Sequence, residues 1–282
     1  MRWLASIQPI WENRFTERKA AAAGGQRRLL RPVYWLGSWQ FACLDYYRPP
    51  NGVANRCVAV LQACRAPKAD PFRLEHRDIG QLFAENVAPV IARLVARIEK
   101  LARELYSGAD LPSRWRLSTC LVNLYGSRLE AGKRIDCARV GEHRDFEPGP
   151  VASISFGERA LFQFVKRGKA DEPTRVVAQQ WLDDRSLQLF GGDTWKKRLL
   201  HRVLRVDRRG GAEFDVRVPD FSTRRLNLTF RYVPEEHVVP FAKLEPEARE
   251  DVRTYVSELA RGSELFADAL RAAGGPAGSG LA

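Results

Sequence analysis

Between Arg225 and Arg231 the sequence alternates without a break. Leu226, Leu228 and Phe230 fall on one side of an extended chain, and Arg225, Asn227, Thr229 and Arg231 on the other. A strict period of two specifies a strand with one apolar and one polar face, and it rules out a helix there. The polar face has two readings. It can meet solvent, as antiparallel sheets commonly do, or it can line a small polar cavity in which guanidinium groups grip a dicarboxylate. Arg225 and Arg231 stand about 20 Å apart along an ideal strand, so a short ligand meets both only if the side chains lean together.

That strand is the last of a series. Strand-like runs are predicted at about 117–125, 151–156, 161–166, 187–190, 199–206 and 225–232. No helical segments alternate with them, so the pattern argues for a sandwich or jelly roll rather than βαβ units. Upstream, Val87, Val90, Ile91, Leu94, Val95, Ile98, Leu101, Ala102 and Leu105 recur at helical spacing and predict a helix from Ile79 to about Leu105. Its charged residues, among them Glu99 and Arg103, are read as a solvated face, and Pro89 marks a kink or the first turn. Cys57–Leu61 reads as a short strand. Residues 1–30 read as a basic, poorly ordered or partly helical arm. Pro246 to about Leu270 reads as one or two helices, and Gly274–Ala282 as a disordered tail.

His143-Arg144-Asp145 is the candidate centre of chemistry. In a strand, His143 and Asp145 would project from one face about 7 Å apart, with Arg144 turned away. An imidazole and a carboxylate so placed can share a metal ion. A second histidine would complete the 2-His-1-carboxylate face that leaves open positions on iron. The chain has four histidines, and His201 sits in a strand-like run well downstream. The pair His143 and Asp145 is short enough to be an ordinary polar strand end. Two histidines and an aspartate would also suit a zinc hydrolase, but that reading leaves Arg225, Asn227 and Arg231 without a role.

With these motifs in order, the sequence resembles the AlkB-type Fe(II)/2-oxoglutarate dioxygenases. His-x-Asp at 143–145, the distant His201 and Arg-x-Asn-x-x-x-Arg at 225–231 carry the likeness. Asn123-Leu124-Tyr125 matches the family's Asn-x-Tyr. Ser153–Gly157 followed by Phe162-Gln163-Phe164 matches its central strand pair, and Gly191-Gly192 its glycine turn. The resemblance spans roughly Thr119 to Val233; the connection Gly126–Glu142 is longer than the family pattern. It implies a mainly β chain with flanking helices (α+β) around a double-stranded β-helix, or jelly-roll, core. With the composition and periodicity read above, the chain divides into four expected regions: a basic, poorly ordered arm over 1–30, a substrate-cover region with the long helix over 31–115, the dioxygenase core over 116–240, and a helix and disordered tail over 241–282. The resemblance also implies that His143, Asp145 and His201 hold Fe(II), and that Asn123, Tyr125, Arg225, Asn227 and Arg231 bind 2-oxoglutarate, with O2 as the oxidant. Arg225 with Asn227 would anchor the far carboxylate, and Arg231 would serve the metal end. Glu147, two residues past Asp145, stands where nucleic-acid-acting relatives place an acid facing the base, unless it is a surface residue. Arg167 falls in a region that touches substrate. Trp39 and Tyr46 are either base-stacking residues or core aromatics.

Composition bears on the partner. A net charge of +12 and a pI near 9.8 favour a polyanion. Lys196, Lys197, Arg198, Arg202, Arg205, Arg208 and Arg209 cluster about His201, either tracking a phosphate backbone or solvated. The resemblance implies oxidative dealkylation and DNA repair, and the charge fits the alkylated DNA or RNA substrate that it implies. The same chemistry on a protein side chain or small metabolite is the alternative, and a non-catalytic basic nucleic-acid-binding module the second. Five cysteines without Cys-x-x-Cys spacing suit a reducing cytoplasm. No run approaches the ~20 apolar residues of a membrane span, and no obligate protein partner is indicated.

Overall fold

The computed structural model describes residues 10–14, 27–37, 40–47, 56–61, 88–145, 147–168, 173–204, 218, 220–234 and 264–274, with isolated positions between 246 and 260. In chain order the strands are β1 (Ile10–Arg14), β2 (Arg27–Gly37), β3 (Gln40–Tyr47), β4 (Arg56–Leu61), β5 (Thr119–Glu130), β6 (Lys133–Asp136) and β7 (Val140–His143). They continue with β8 (Val151–Gly157), β9 (Ala160–Lys166), β10 (Arg175–Leu182), β11 (Ser186–Phe190), β12 (Leu200–Leu204) and β13 (Phe221–Arg231). Helix α1 is Ala88–Leu105 and α2 is Glu264–Ala272. The large sheet runs β1-β2-β5-β13-β8-β11, with β6 beside β5, and the smaller sheet runs β10-β9-β12-β7. The pairings are antiparallel, and β3 pairs with β4 as a separate ribbon. The mainly β, jelly-roll architecture expected from the sequence is the one observed.

Strand β13 explains the arrangement of the layers. Its apolar residues Leu226, Leu228 and Phe230 are buried with Val122, Leu124, Ala152 and Ile154 against Ile91, Val95, Ile98 and Ala102 of α1. Burial of each large apolar side chain contributes about 1.5–3 kcal/mol, so this face sets the register. Its polar residues Arg225, Asn227, Thr229 and Arg231 then turn inward and line a cavity of about 60 Å³. Arg225 is 2% exposed, which decides between the two readings of the polar face in favour of the cavity. Val151, Phe162, Phe164, Leu182, Phe190, Leu199 and Val203 form a second apolar cluster on the roll's interior side.

Several elements differ from the sequence expectation. Residues 10–14 and 27–30, expected within a poorly ordered or partly helical arm, lie in strands, the second stretch opening β2. Pairing of β2 with β5, from Val33 opposite Asn123 to Gly37 opposite Thr119, supplies backbone hydrogen bonds that local composition does not announce. The connection after Tyr125 is a hairpin. Strand β5 continues to Glu130, turns at Ala131 (φ 47°) and Gly132 (φ 75°), and returns as β6. Two successive positive φ values give the two-residue turn whose twist suits a hairpin. At Gly126 a Cβ would lie 1.8 Å from the Ser222 carbonyl oxygen, so only glycine admits the bulge of β13 there.

Strand β10 went unpredicted because Val176, Val177 and Trp181 are exposed on a sheet edge, which hides the period of two. The apolar stripe of α1 is narrower than its spacing suggests: Leu101 and Leu105 are 37% and 61% exposed. Its charged face is not simply solvated. Glu99 accepts the Leu117 N–H at 2.8 Å and pairs with Arg103, which also donates to the Trp115 carbonyl. Pro89 stands in the first turn, where its missing N–H costs nothing. Residues 275–282, which carry most of the expected tail, lie outside the described residues.

Candidate metal centre and cosubstrate cavity

The two histidines meet through strand pairing. His143 ends β7, and His201 on β12 is its direct cross-strand partner. Their ring centroids are 4.2 Å apart. Asp145 does not continue the strand, as the simple alternation argument had it. It lies two residues beyond the end of β7, and its side chain is steered by Arg231, whose Nη2 and Nε donate to Oδ1 at 2.8 and 3.1 Å. The other oxygen, Oδ2, faces His201 Nε2 at 3.5 Å. Ligand atoms of His143, Asp145 and His201 all lie within 4.8 Å of one another, close enough to share one metal ion. His143 Nδ1 sits 2.8 Å from the Gly141 carbonyl; with the proton on Nδ1, that contact leaves Nε2 as the free lone pair.

The electrostatics suit a cation. Burial pulls the His201 imidazole down to about 3 and lowers that of His143, so both are neutral and able to ligate. Burial opposes the charge on Asp145. Arg231 first, then His201, His143 and Lys196, outweigh burial and hold its carboxyl below the usual carboxylate range. Lys196, buried in the helical turn Asp193–Arg198, donates to the carbonyls of Glu147 and Gly149 and ties the loop after Asp145 to the segment before His201.

The remaining predicted residues divide into those that line the cavity and those that do not. Asn123, Tyr125, Arg225, Asn227 and Arg231 line it with the three candidate ligands. Asn227 donates to Ser153 Oγ at 2.8 Å and to the Ile154 carbonyl at 3.1 Å, while Thr229 Oγ1 donates to its Oδ1 at 2.6 Å. Arg225 donates to Ser155 Oγ at 3.0 Å and lies 4.6 Å from the centre of the Tyr125 ring. Its Nε and Nη1 are buried without a hydrogen-bond partner. Glu147 does not lie free on the surface; Oε1 is 3.5 Å from Arg231 Nε, and Oε2 is buried without a partner. Arg167 is exposed just past β9 and is not part of the cavity lining. Trp39 lies outside the described residues. Tyr46 lies on β3, but its side chain is likewise outside them.

Three polar lining residues were not among the predicted site residues: Arg31, Ser153 and Gln188. Ser153 and Gln188 carried a signal, since each sits in an alternating run that sends it to the polar interior face. Arg31 carried none, because Arg27-Arg28-Leu29-Leu30-Arg31-Pro32 has no period. The basic cluster near His201 is also partly spent inside the fold. Lys196 is buried, Lys197 and Arg198 pair with Asp193, and Arg202 pairs with Glu142 at 3.0 Å and Gln163 at 2.9 Å. Arg205, Arg208 and Arg209 lie outside the described residues.

A jelly roll that presents two imidazoles and a carboxylate inside its mouth, beside an arginine-lined polar cavity, defines a candidate metal-dependent enzyme. The family model of the 2OG-Fe(II) oxygenase superfamily matches residues 44–231, and the chain belongs to that superfamily. Its cofactors are accordingly Fe(II), 2-oxoglutarate and O2. Among solved structures the chain is similar to OsALKBH1, with 18% identity over 82% of this chain and 88% of that one and a TM-score of 0.40. It is also similar to YcfD, a ribosomal oxygenase from Escherichia coli, in a complex with cobalt and succinic acid. There the identity is 12% over 64% of this chain and 47% of that one, with a TM-score of 0.27. No curated protein matches the chain. Residues present fit the cofactors: neutral imidazoles and an ionised carboxylate suit Fe(II), and the orphaned Arg225 nitrogens suit a carboxylate.

Proposed function

We propose that this oxygenase is AlkB-like and oxidatively dealkylates N-alkylated bases in DNA or RNA. The observation that carries its chemistry is the convergence of His143, Asp145 and His201 beside the unsatisfied Arg225. In this reading His143 Nε2, Asp145 Oδ2 and His201 Nε2 hold the metal. Arg231 fixes the Asp145 rotamer and its charge. Arg225 anchors the far carboxylate of the cosubstrate, and Tyr125 and Asn123 shape the wall around it. Asn227 acts through Ser153 and Thr229, keeping the inner face of β13 and β8 rigid.

When bound, Fe(II) with 2-oxoglutarate and O2 hydroxylates a substrate C–H as the cosubstrate becomes succinate and CO2. On an N-methyl group the hydroxymethyl product collapses to formaldehyde and the free amine. The chain's own part is placement and exclusion of water. Phe162 and Phe190, with centroids 5.4 and 5.3 Å from His201, keep one side of the site apolar.

The nucleic-acid substrate is supported by the net charge of +12 and by exposed Arg144, which lies between two candidate ligands. Exposed Arg167, Lys197 and Arg198 lie on nearby segments of the chain. The test offers N-methylated oligonucleotides to the Fe(II)-loaded protein and follows succinate and formaldehyde. Methylated strands are expected to stimulate both. Succinate formation stimulated only by a protein or a small metabolite would replace the substrate class, and oligonucleotide binding without any turnover would favour a binding module.

A further inference from the structure

The least explained charge in the cavity belongs to Arg31. It comes from β2, outside the segment 44–231 that matches the oxygenase family model. Nevertheless it lines the same cavity as the metal triad. Its Nε donates to Asn123 Oδ1 at 2.9 Å, and its guanidinium carbon lies 5.6 Å from the centre of the Tyr125 ring. The antiparallel register of β2 on β5, carried two residues past Val33 opposite Asn123, brings Arg31 across from Tyr125. On the other side of β5, Arg225 of β13 is also the partner of Tyr125. One cross-strand row therefore reads arginine, tyrosine, arginine, with both guanidinium groups turned into the roll.

Such a row is unfavourable without a ligand. Like charges two strands apart on one buried face repel, and a buried cation needs a counter-charge. Arg225 is wholly buried with two nitrogens unpartnered. Among the described residues, the cavity lining holds Arg31, Arg225 and Arg231 against a single carboxylate, Asp145, which Arg231 already engages. Among the described lining residues no second carboxylate faces Arg31 and Arg225, and a ligand carboxylate would supply that counter-charge.

We propose that Arg31 and Arg225 form a two-guanidinium clamp, spanning Tyr125, for the distal carboxylate of the 2-oxo dicarboxylate cosubstrate. Asn123 holds the Arg31 end of the clamp, and Ser155 the Arg225 end. The N-terminal strand β2 is then part of the cosubstrate site and not merely a cover beside it. The proposal rests on the oxygenase reading above but makes a claim that reading does not need.

The test measures binding, not turnover. The full chain is loaded with Mn(II), and the dissociation constant of 2-oxoglutarate is measured by calorimetry for wild type, Arg31→Met, Arg31→Lys and Arg225→Met. The analogue 2-oxopentanoate, which ends in a methyl group where 2-oxoglutarate has its distal carboxylate, is measured beside it. Arg31→Met is expected to weaken 2-oxoglutarate about thirtyfold or more, the range seen when one partner of a buried charge pair is removed. It should narrow the preference over 2-oxopentanoate and leave Mn(II) affinity unchanged, and Arg31→Lys should recover part of the loss. Wild-type affinity for 2-oxoglutarate in Arg31→Met overturns the clamp while the oxygenase reading stands. So does an equal loss of Mn(II) affinity, which would make Arg31 a structural residue. Wild-type protein that binds Mn(II) but no 2-oxo acid overturns the oxygenase reading, and the clamp with it.

Discussion

Arg231 shows how much a single side chain can organise. Its two donors fix Asp145 Oδ1, so that Oδ2 is left to face His201. Replacing it with methionine should release the carboxylate and lower Mn(II) affinity about 10- to 100-fold, as loss of a group that orients a metal ligand does. Unchanged affinity would show that Asp145 is held in some other way. Lys196 makes a prediction about pH. Burial pulls its ammonium down to about 8 from an ordinary 10.5. Between those values the unfolded chain binds the proton more tightly than the native one. Stability should therefore rise with pH from about 8 to 10.5 and fall again on the way back down. Denaturation midpoints across that window should show the slope in wild type and lose it in Lys196→Met; parallel profiles would contradict the assignment. At this scale the ligands were legible because residue type, order and spacing identify them. Arg31 was not, since its role comes from the pairing of β2 with β5, which leaves no mark on local sequence.

Among the elements, β13 was the most legible, because each of its faces obeys one rule. Leu226, Leu228 and Phe230 meet α1, and the polar residues meet the cavity. The helix contributes stability without touching the site. Ile98, 2% exposed at the centre of that contact, should cost about 2–5 kcal/mol on replacement by alanine. Chemical denaturation measures that loss, and Mn(II) affinity should remain at the wild-type level. A parallel loss of metal affinity would mean that the outer layer steers the ligands. The elements that escaped prediction share a cause. Strand β10 is an edge with exposed apolar residues, and β1 and β2 owe their form to partners distant in sequence. Asp145 belongs with them: the His-x-Asp pair is brought together by a strand end and an arginine rather than by a continuous strand.

For the whole molecule, the two sheets close around a cavity whose walls carry two kinds of charge logic. One end has two neutral imidazoles and an ionised carboxylate, and the other carries Arg31 and Arg225, with two buried Arg225 nitrogens that have no hydrogen-bond partner. The sequence revealed this division of labour through its motifs, but not the number of arginines at the far end. The basic surface adds a prediction at this scale: affinity for single-stranded oligonucleotides should fall with added salt, with a slope of about −0.7 per neutralised phosphate on logarithmic axes. Binding insensitive to salt would remove the charge argument for a nucleic-acid substrate. The most direct test of the central claim is an anaerobic titration of Fe(II) and 2-oxoglutarate into wild type, His143→Ala and His201→Ala, watching for the weak visible charge-transfer band of the iron–2-oxo acid chelate. The account predicts a band in wild type that is lost in both variants. A wild-type protein that binds iron yet shows no band, or variants that keep it, would contradict the account.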